Sequence, residues 1–312
     1  MAFSSRSTAF LFPGQGSQEV GMGQELAAQF PAAAEIFSQA DQILGFPLST
    51  LCWEGPKEQL NDTINTQPAI LVHSIAALRA LDPPSLPAAA AGHSMGEFSA
   101  LVSASSISFP DALKLVRARG EAMKGAGDRS PGRMAAVLGL DPETVSEVCS
   151  KTQAATREVV QLANDNCPGQ LVISGSEAGM EAATMQLKEA GARRVIPLAV
   201  SIAAHSPLME SAQAQLNEAI EGTPIEAPAM PVYANVSAKP LTSAEEIREE
   251  LQAQLTSQVR WTETIETMST QGIDTFIELG PKDVLTKLCS RIDRQATAFA
   301  VGDPTNLEEL PV

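Results

Sequence analysis

The chain has 312 residues, 44% of them hydrophobic and 19% charged, enough to bury one large domain or one with a smaller unit inserted. Its net charge of −16 argues against nucleic acid or an anionic membrane as the main partner; a small anionic ligand needs only a local cation and stays open. The N-terminal apolar run is too short for a signal sequence and no stretch approaches the about 20 apolar residues of a membrane span, so the expectation is a cytoplasmic protein. Cys52, Cys149, Cys167 and Cys289 lie far apart without a C-x-x-C pair, and the chain has three histidines, so four free thiols and no zinc site are expected.

In chain order, Thr8-Ala-Phe-Leu-Phe12 reads as a buried strand ended by Pro13-Gly14. Helical patterns follow around 31–44 and 67–81. Ala88 to Ala91 form a short strand, a helix starts near Gly96, and Pro110 opens an amphipathic helix to about Lys124. GAGDRSP at 125–131 breaks that pattern. A compact series comes next: strand RMAAVLGL, helix DPETVSEVCSKT, strands EVVQLAND and GQLVISG, helix SEAGMEAATMQLKEAG and strand RRVIPLAV. That β-α-β-β-α-β order predicts a small ferredoxin-like domain over 130–197, inserted into a large α/β domain made of 1–129 and 198–312. The large domain resumes with a strand at 233–236, a helix near 244–256, a strand at 274–279 and a helix near 281–290.

Gly92-His93-Ser94-Met95-Gly96 fits G-x-S-x-G between a strand and a helix. A sharp elbow crowds the backbone around the serine, which is why the positions two before and two after it, Gly92 and Gly96, are glycine. The bend exposes the Ser94 hydroxyl and sets the Met95 N–H at a helix N-terminus, where negative charge is stabilised. A nucleophilic serine needs a base. His93 is adjacent and points away from it; His73 lies in an apolar helical stretch; His205 remains, read at the end of a strand and the start of a helix. The Phe12–Gln18 loop, FPGQGSQ, is not G-x-G-x-x-G and lacks a P-loop lysine, so a nucleotide cradle is a poor reading; it can supply an oxyanion donor from backbone or from Gln15. Arg119 lies beside the inward stripe of its helix, and Arg117 lies away from it. A structural salt bridge and a substrate carboxylate are both open as its partner. The expected fold class is therefore α/β: a large α/β-hydrolase-like domain with a parallel sheet and nucleophile elbow, plus the small ferredoxin-like unit.

Together FPGQGSQ (12–18), TQPAI (66–70), GHSMGE (92–97), RGEAM (119–123), NDNCPGQLVISG (164–175), AHSPLM (204–209), VRW (259–261) and ELGP (278–281) resemble the malonyl-CoA:acyl carrier protein transacylase family, including polyketide synthase acyltransferase domains. The resemblance spans nearly the whole chain. It implies Ser94 as the acyl-accepting nucleophile, His205 as its base, Gln15 and the Met95 N–H as the oxyanion hole, and Arg119 as the clamp for the malonyl carboxylate. It also implies that a backbone carbonyl, at Gln254, orients the histidine. The implied partners are malonyl-CoA and an acyl carrier protein, with no cofactor beyond the carrier's phosphopantetheine, and a monomeric enzyme. Docking of an acidic carrier needs a local basic patch, with Lys188, Arg193 and Arg194 or Lys287, Arg291 and Arg294 as candidates. Family members commonly read ELGPGKVL where this chain has ELGPKDVL, so that loop is expected to differ in shape. Ile202-Ala203-Ala204 matches neither signature by which polyketide acyltransferases select malonyl or methylmalonyl. A different extender unit, a serine hydrolase acting on acyl thioesters, and a non-catalytic carrier-binding module are the competing readings.

Overall fold

The computed structural model describes residues 6–200 and 202–310. Its strands are β1 (Thr8–Phe12), β2 (Ala89–Gly92), β3 (Gly132–Leu138), β4 (Val160–Cys167), β5 (Gln170–Ser176), β6 (Arg194–Pro197), β7 (Val232–Tyr233), β8 (Pro240–Leu241), β9 (Val259–Arg260), β10 (Thr275–Leu279) and β11 (Thr297–Val301). One sheet has the order β11-β10-β1-β2-β7-β8 and is parallel apart from the β7–β8 pair. Its middle strands are buried throughout, as a parallel sheet covered on both faces requires. The two-residue period of a strand divides their side chains between two cores. Phe10, Phe12 and Ala90 face one; Ala9, Leu11, Ala89 and Ala91 face the other, with Trp261 and Phe276.

The second sheet has the order β6-β3-β5-β4-β9. Its first four strands pair antiparallel and are joined in the sequence β3-helix-β4-β5-helix-β6. β9 then adds parallel to β4, so a segment from far along the chain completes this sheet. Helices Pro142–Thr156 and Glu177–Glu189 cover one face through Val145, Cys149, Met180, Ala183 and Leu187. Asp141 and Ser176 cap them by accepting from Thr144 N (2.7 Å) and Gly179 N (3.2 Å). The other face, Met134, Ala163 and Val172, packs against Val200 and Ala204.

Several elements differ from the sequence expectation. The helix expected to stop near Lys124 spans Phe109–Arg129, because burial of Ala126 and Gly127 outweighs the poor helix propensity of the glycines. β6 ends at Pro197, and neither 198–200 nor 202–206 has regular structure. The strand expected at 233–236 stops at Tyr233. The helix expected to 256 ends at Ala253, and the one from 281 begins at Val284. In the ELGPKDVL loop Lys282 adopts φ 66°, a left-handed conformation that glycine takes freely. No helix among the described residues is long and apolar enough to cross a membrane.

Candidate active site

β2 ends at Gly92 and the helix Gly96–Ser103 starts just beyond, leaving Ser94 at the bend with φ 52°. A Cβ on Gly92 would lie 2.0 Å from the Gly96 carbonyl, and one on Gly96 would lie 2.1 Å from Phe12 O. Neither clash can be relieved by rotating a side chain, because backbone is what it meets. Asn235 clamps the elbow from the end of β7: its Oδ1 accepts from Ser94 N (2.7 Å) and its Nδ2 donates to Gly92 O (2.7 Å). Its own N–H donates to Glu97 Oε1 at 3.1 Å. These bonds take the chain out of the sheet, which is why β7 is short.

Ser94 Oγ lies 2.8 Å from His205 Nε2. His205 Nδ1 lies 3.0 Å from Gln254 O and 3.1 Å from Ser257 O. Carbonyls only accept, so Nδ1 carries the hydrogen and the Nε2 lone pair faces the serine. His205 does not stand at a strand end; it sits in the irregular stretch 202–206 with φ 59°. It is 2% exposed, and burial together with the Arg119 charge holds its pKa down to about 3, so the ring is neutral at ordinary pH.

Arg119 comes from the helix Phe109–Arg129 and is also 2% exposed. Its Nη1 donates to Gln67 Oε1 (2.9 Å) and contacts Met123 Sδ (3.3 Å). Its Nη2 donates to Gln254 Oε1 (3.0 Å) and Ser94 Oγ (3.1 Å). Nε has no partner. Burial lowers its pKa to about 10, which leaves it charged at neutral pH. Of the two partners left open by the sequence, the salt bridge is missing: among the described residues no carboxylate pairs with Arg119. Arg117, turned the other way, pairs with Glu121 at 2.7 Å.

Gln254 links the two groups. Its backbone oxygen receives His205, its Oε1 receives Arg119, and its Nε2 donates to Ser94 O (3.1 Å) and to Glu97 Oε2. Burial keeps the Glu97 carboxyl well above the usual carboxylate range. Gln15 lines the cleft with Oε1 accepting from Thr63 Oγ1 at 2.9 Å, which leaves its amide hydrogens for the cleft. Met95 is buried as the N-cap of the helix Gly96–Ser103, so its N–H is among those that a helix leaves without an internal acceptor. Of the six residues singled out by the sequence, Gln15, Ser94, Arg119 and His205 line one cleft of about 200 Å³, while Met95 adjoins Ser94 in the elbow and Gln254 bonds Arg119 and His205 from behind them. Met134, Asn164, Asn166 and Val172 form its far wall, and Leu198, Val200, Ile202 and Ala204 run along its edge. His93 lines it too, with Nε2 2.8 Å from Asn166 Oδ1 and its ring edge-on to Trp261. His73 is a buried helix residue outside it.

Sequence reasoning missed Asn235, Glu97, Gln67, Ser257 and Gln161. Glu97 and Gln67 lie inside the quoted motifs GHSMGE and TQPAI, so the signal was present without a role attached. Asn235 sits in a stretch that reads as strand. Among the described residues no cluster of side chains could hold a metal.

A neutral buried imidazole on an elbow serine, beside a guanidinium that no carboxylate pairs with among the described residues, on a parallel α/β sheet, is the arrangement of a serine acyl-transfer centre. Residues 9–302 match the acyl transferase domain family, and the chain belongs to it. It is 47% identical over 96% of its length to the malonyl CoA-acyl carrier protein transacylase of Bacillus subtilis, covering 95% of that protein, and 43% identical to that of Escherichia coli K12, covering 95% and 96% of the two chains. Among solved structures it is similar to an acyl carrier protein S-malonyltransferase from Vibrio cholerae (TM-score 0.94, 42% identity, 98% and 100% covered). It is also similar to a malonyl-transacylase in complex with its type II polyketide synthase acyl-carrier protein (TM-score 0.93, 42% identity, 97% and 98% covered).

Proposed function

We propose that this chain transfers malonyl from malonyl-CoA to the phosphopantetheine thiol of an acyl carrier protein through a malonyl-Ser94 intermediate. His205 Nε2 takes the Ser94 proton as Oγ attacks the thioester carbon. The oxyanion is received by the Met95 N–H and the Gln15 amide; the Ser94 N–H is already given to Asn235. His205 then returns the proton to the departing CoA sulfur, and the carrier thiol reverses the path. Arg119 pairs with the free malonyl carboxylate. The observation that carries this reading is that Arg119 is buried, charged and held only by neutral acceptors beside Ser94 Oγ. A carboxylate supplies the missing anion, and an acetyl group cannot.

The same reading takes the larger unit as α/β-hydrolase-like and 130–197 as a ferredoxin-like insertion, in a cytoplasmic monomer that needs no cofactor. The carrier docks against Lys188, Arg193 and Arg194, which are exposed and form no salt bridge among the described residues. The other candidate set is partly committed: Lys287 pairs with Asp283 (2.8 Å), and Arg291 donates to Gln170 Oε1 (2.6 Å) and Pro168 O (3.0 Å). Intact-protein mass spectrometry with malonyl-CoA tests the proposal. A malonyl adduct absent from Ser94→Ala and passed on to added carrier protein is expected. Release of free malonate in place of transfer would make the protein a hydrolase, and no adduct at all would make it a binding module.

A further inference from the structure

None of the motifs singles out Gln161. It lies on β4 in the second sheet, paired with Ser174 of β5. Its Nε2 donates to His205 O at 2.6 Å and to Thr256 O at 3.3 Å. Those two carbonyls belong to the two segments whose separation places the imidazole. One is His205 itself, held at φ 59° in a stretch without regular structure. The other is the turn at 254–257, whose Gln254 and Ser257 carbonyls receive Nδ1–H. β4 is aligned with the residues that follow this turn, since Asn164 pairs with Val259. One planar amide nitrogen, with two hydrogens in fixed directions, therefore ties the backbone on either side of the ring.

We infer that Gln161 is a positioning residue: its amide bridge holds His205 in the left-handed conformation that keeps Nε2 within hydrogen-bond distance of Ser94 Oγ. The inference rests on Ser94 and His205 being nucleophile and base. Gln161 does not line the cleft, so it acts through His205 and not on substrate. It faces a separate cavity of about 780 Å³ with Ser146, Gln153, Arg157 and Gln258. A left-handed non-glycine residue persists only where its surroundings impose it. A glutamate at 161 would set a carboxylate against two carbonyl oxygens, whereas a lysine would still offer hydrogens to both.

Gln161→Leu, Gln161→Glu and Gln161→Lys test this, each with its melting temperature measured. The expected result is a fall in kcat of about tenfold or more for Leu and a larger fall for Glu. KM for malonyl-CoA should hold steady, because Arg119 and the cleft walls are untouched. Lys should recover most of the rate. Phosphonylation of Ser94 by a fluorophosphonate should slow in the same order, and that readout depends on the Ser94–His205 pair whatever the acyl donor. Failure of wild-type protein to take up malonyl would overturn the substrate reading while the fluorophosphonate series still judged Gln161. Equal labelling rates in all folded variants, or rates that follow melting temperature and not donor capacity, would overturn the positioning role.

Discussion

Arg119 keeps one donor, Nε, without a partner, and among the described residues no carboxylate pairs with it, which shapes the chemistry at the level of single residues. Arg119→Ala is expected to lower kcat/KM for malonyl-CoA about a hundredfold or more and to narrow the gap to acetyl-CoA, read by steady-state kinetics with both donors. Arg119→Lys should not restore selectivity, since an ammonium cannot make the paired bonds of a guanidinium. The same charge acts on His205. Burial and Arg119 hold the imidazole pKa down to about 3, so the acid limb of kcat/KM should fall far below the 6.5 of a free histidine. Removing the positive charge of Arg119 eases protonation, so in Arg119→Ala that limb should move to higher pH. A substrate carboxylate on Arg119 offsets its charge in part, so the limb of kcat should also lie above that of kcat/KM. Coincident limbs near 6.5 in both proteins would contradict the electrostatic coupling.

At the level of elements, the elbow is a close approach of β1, β2 and one helix through two glycines. Gly96→Ala places a methyl 2.1 Å from Phe12 O and should cost about 3 kcal/mol or more, measured by denaturant unfolding. The opposite change suits the ELGPKDVL loop. Lys282 holds φ 66° with an exposed side chain, and Lys282→Gly should stabilise by about 0.5 kcal/mol. The elbow was legible in the sequence because its requirement is local: the glycines, the serine and the flanking strand and helix are contiguous. Arg119 was legible as a charged residue near a core face, but its environment was not, because Gln67 comes from a distant helix and Gln254 from a distant turn. His205 was found by elimination and misplaced, since the chain beyond Pro197 follows tertiary hydrogen bonds and no periodic pattern. Asn235 was read as strand because YANV has strand-forming neighbours, and its side-chain bonds to Gly92 and Ser94 override them. The helix end at Arg129 was missed for the reverse reason: burial overrode a glycine-rich break.

For the whole molecule, buried histidines set the response to acid. His73 is held neutral by burial, with its pKa pushed down to about 4. The unfolded chain binds that proton below about 6.5 and the native one does not, so stability is lost as pH falls from about 6.5 to 4. Relative to His73→Gln, the wild-type protein should lose on the order of 3 kcal/mol across this window, read from unfolding curves at several pH values. Glu250 and Glu278 act oppositely. Burial raises both to about 7, so their ionisation penalty is relieved as pH falls from there towards 4.5, which opposes the loss at His73. The alanine strand β2 has a kinetic consequence. Alanine is a weak strand former, and β2 is held by β1 and β7, which come from near the N-terminus and far downstream. Its pairing must therefore await closure of two long loops, and the serine acquires its bend only then. During refolding, reactivity at Ser94 should return with the last phase, after most helical signal has recovered, making acylation a clock for completion of the fold.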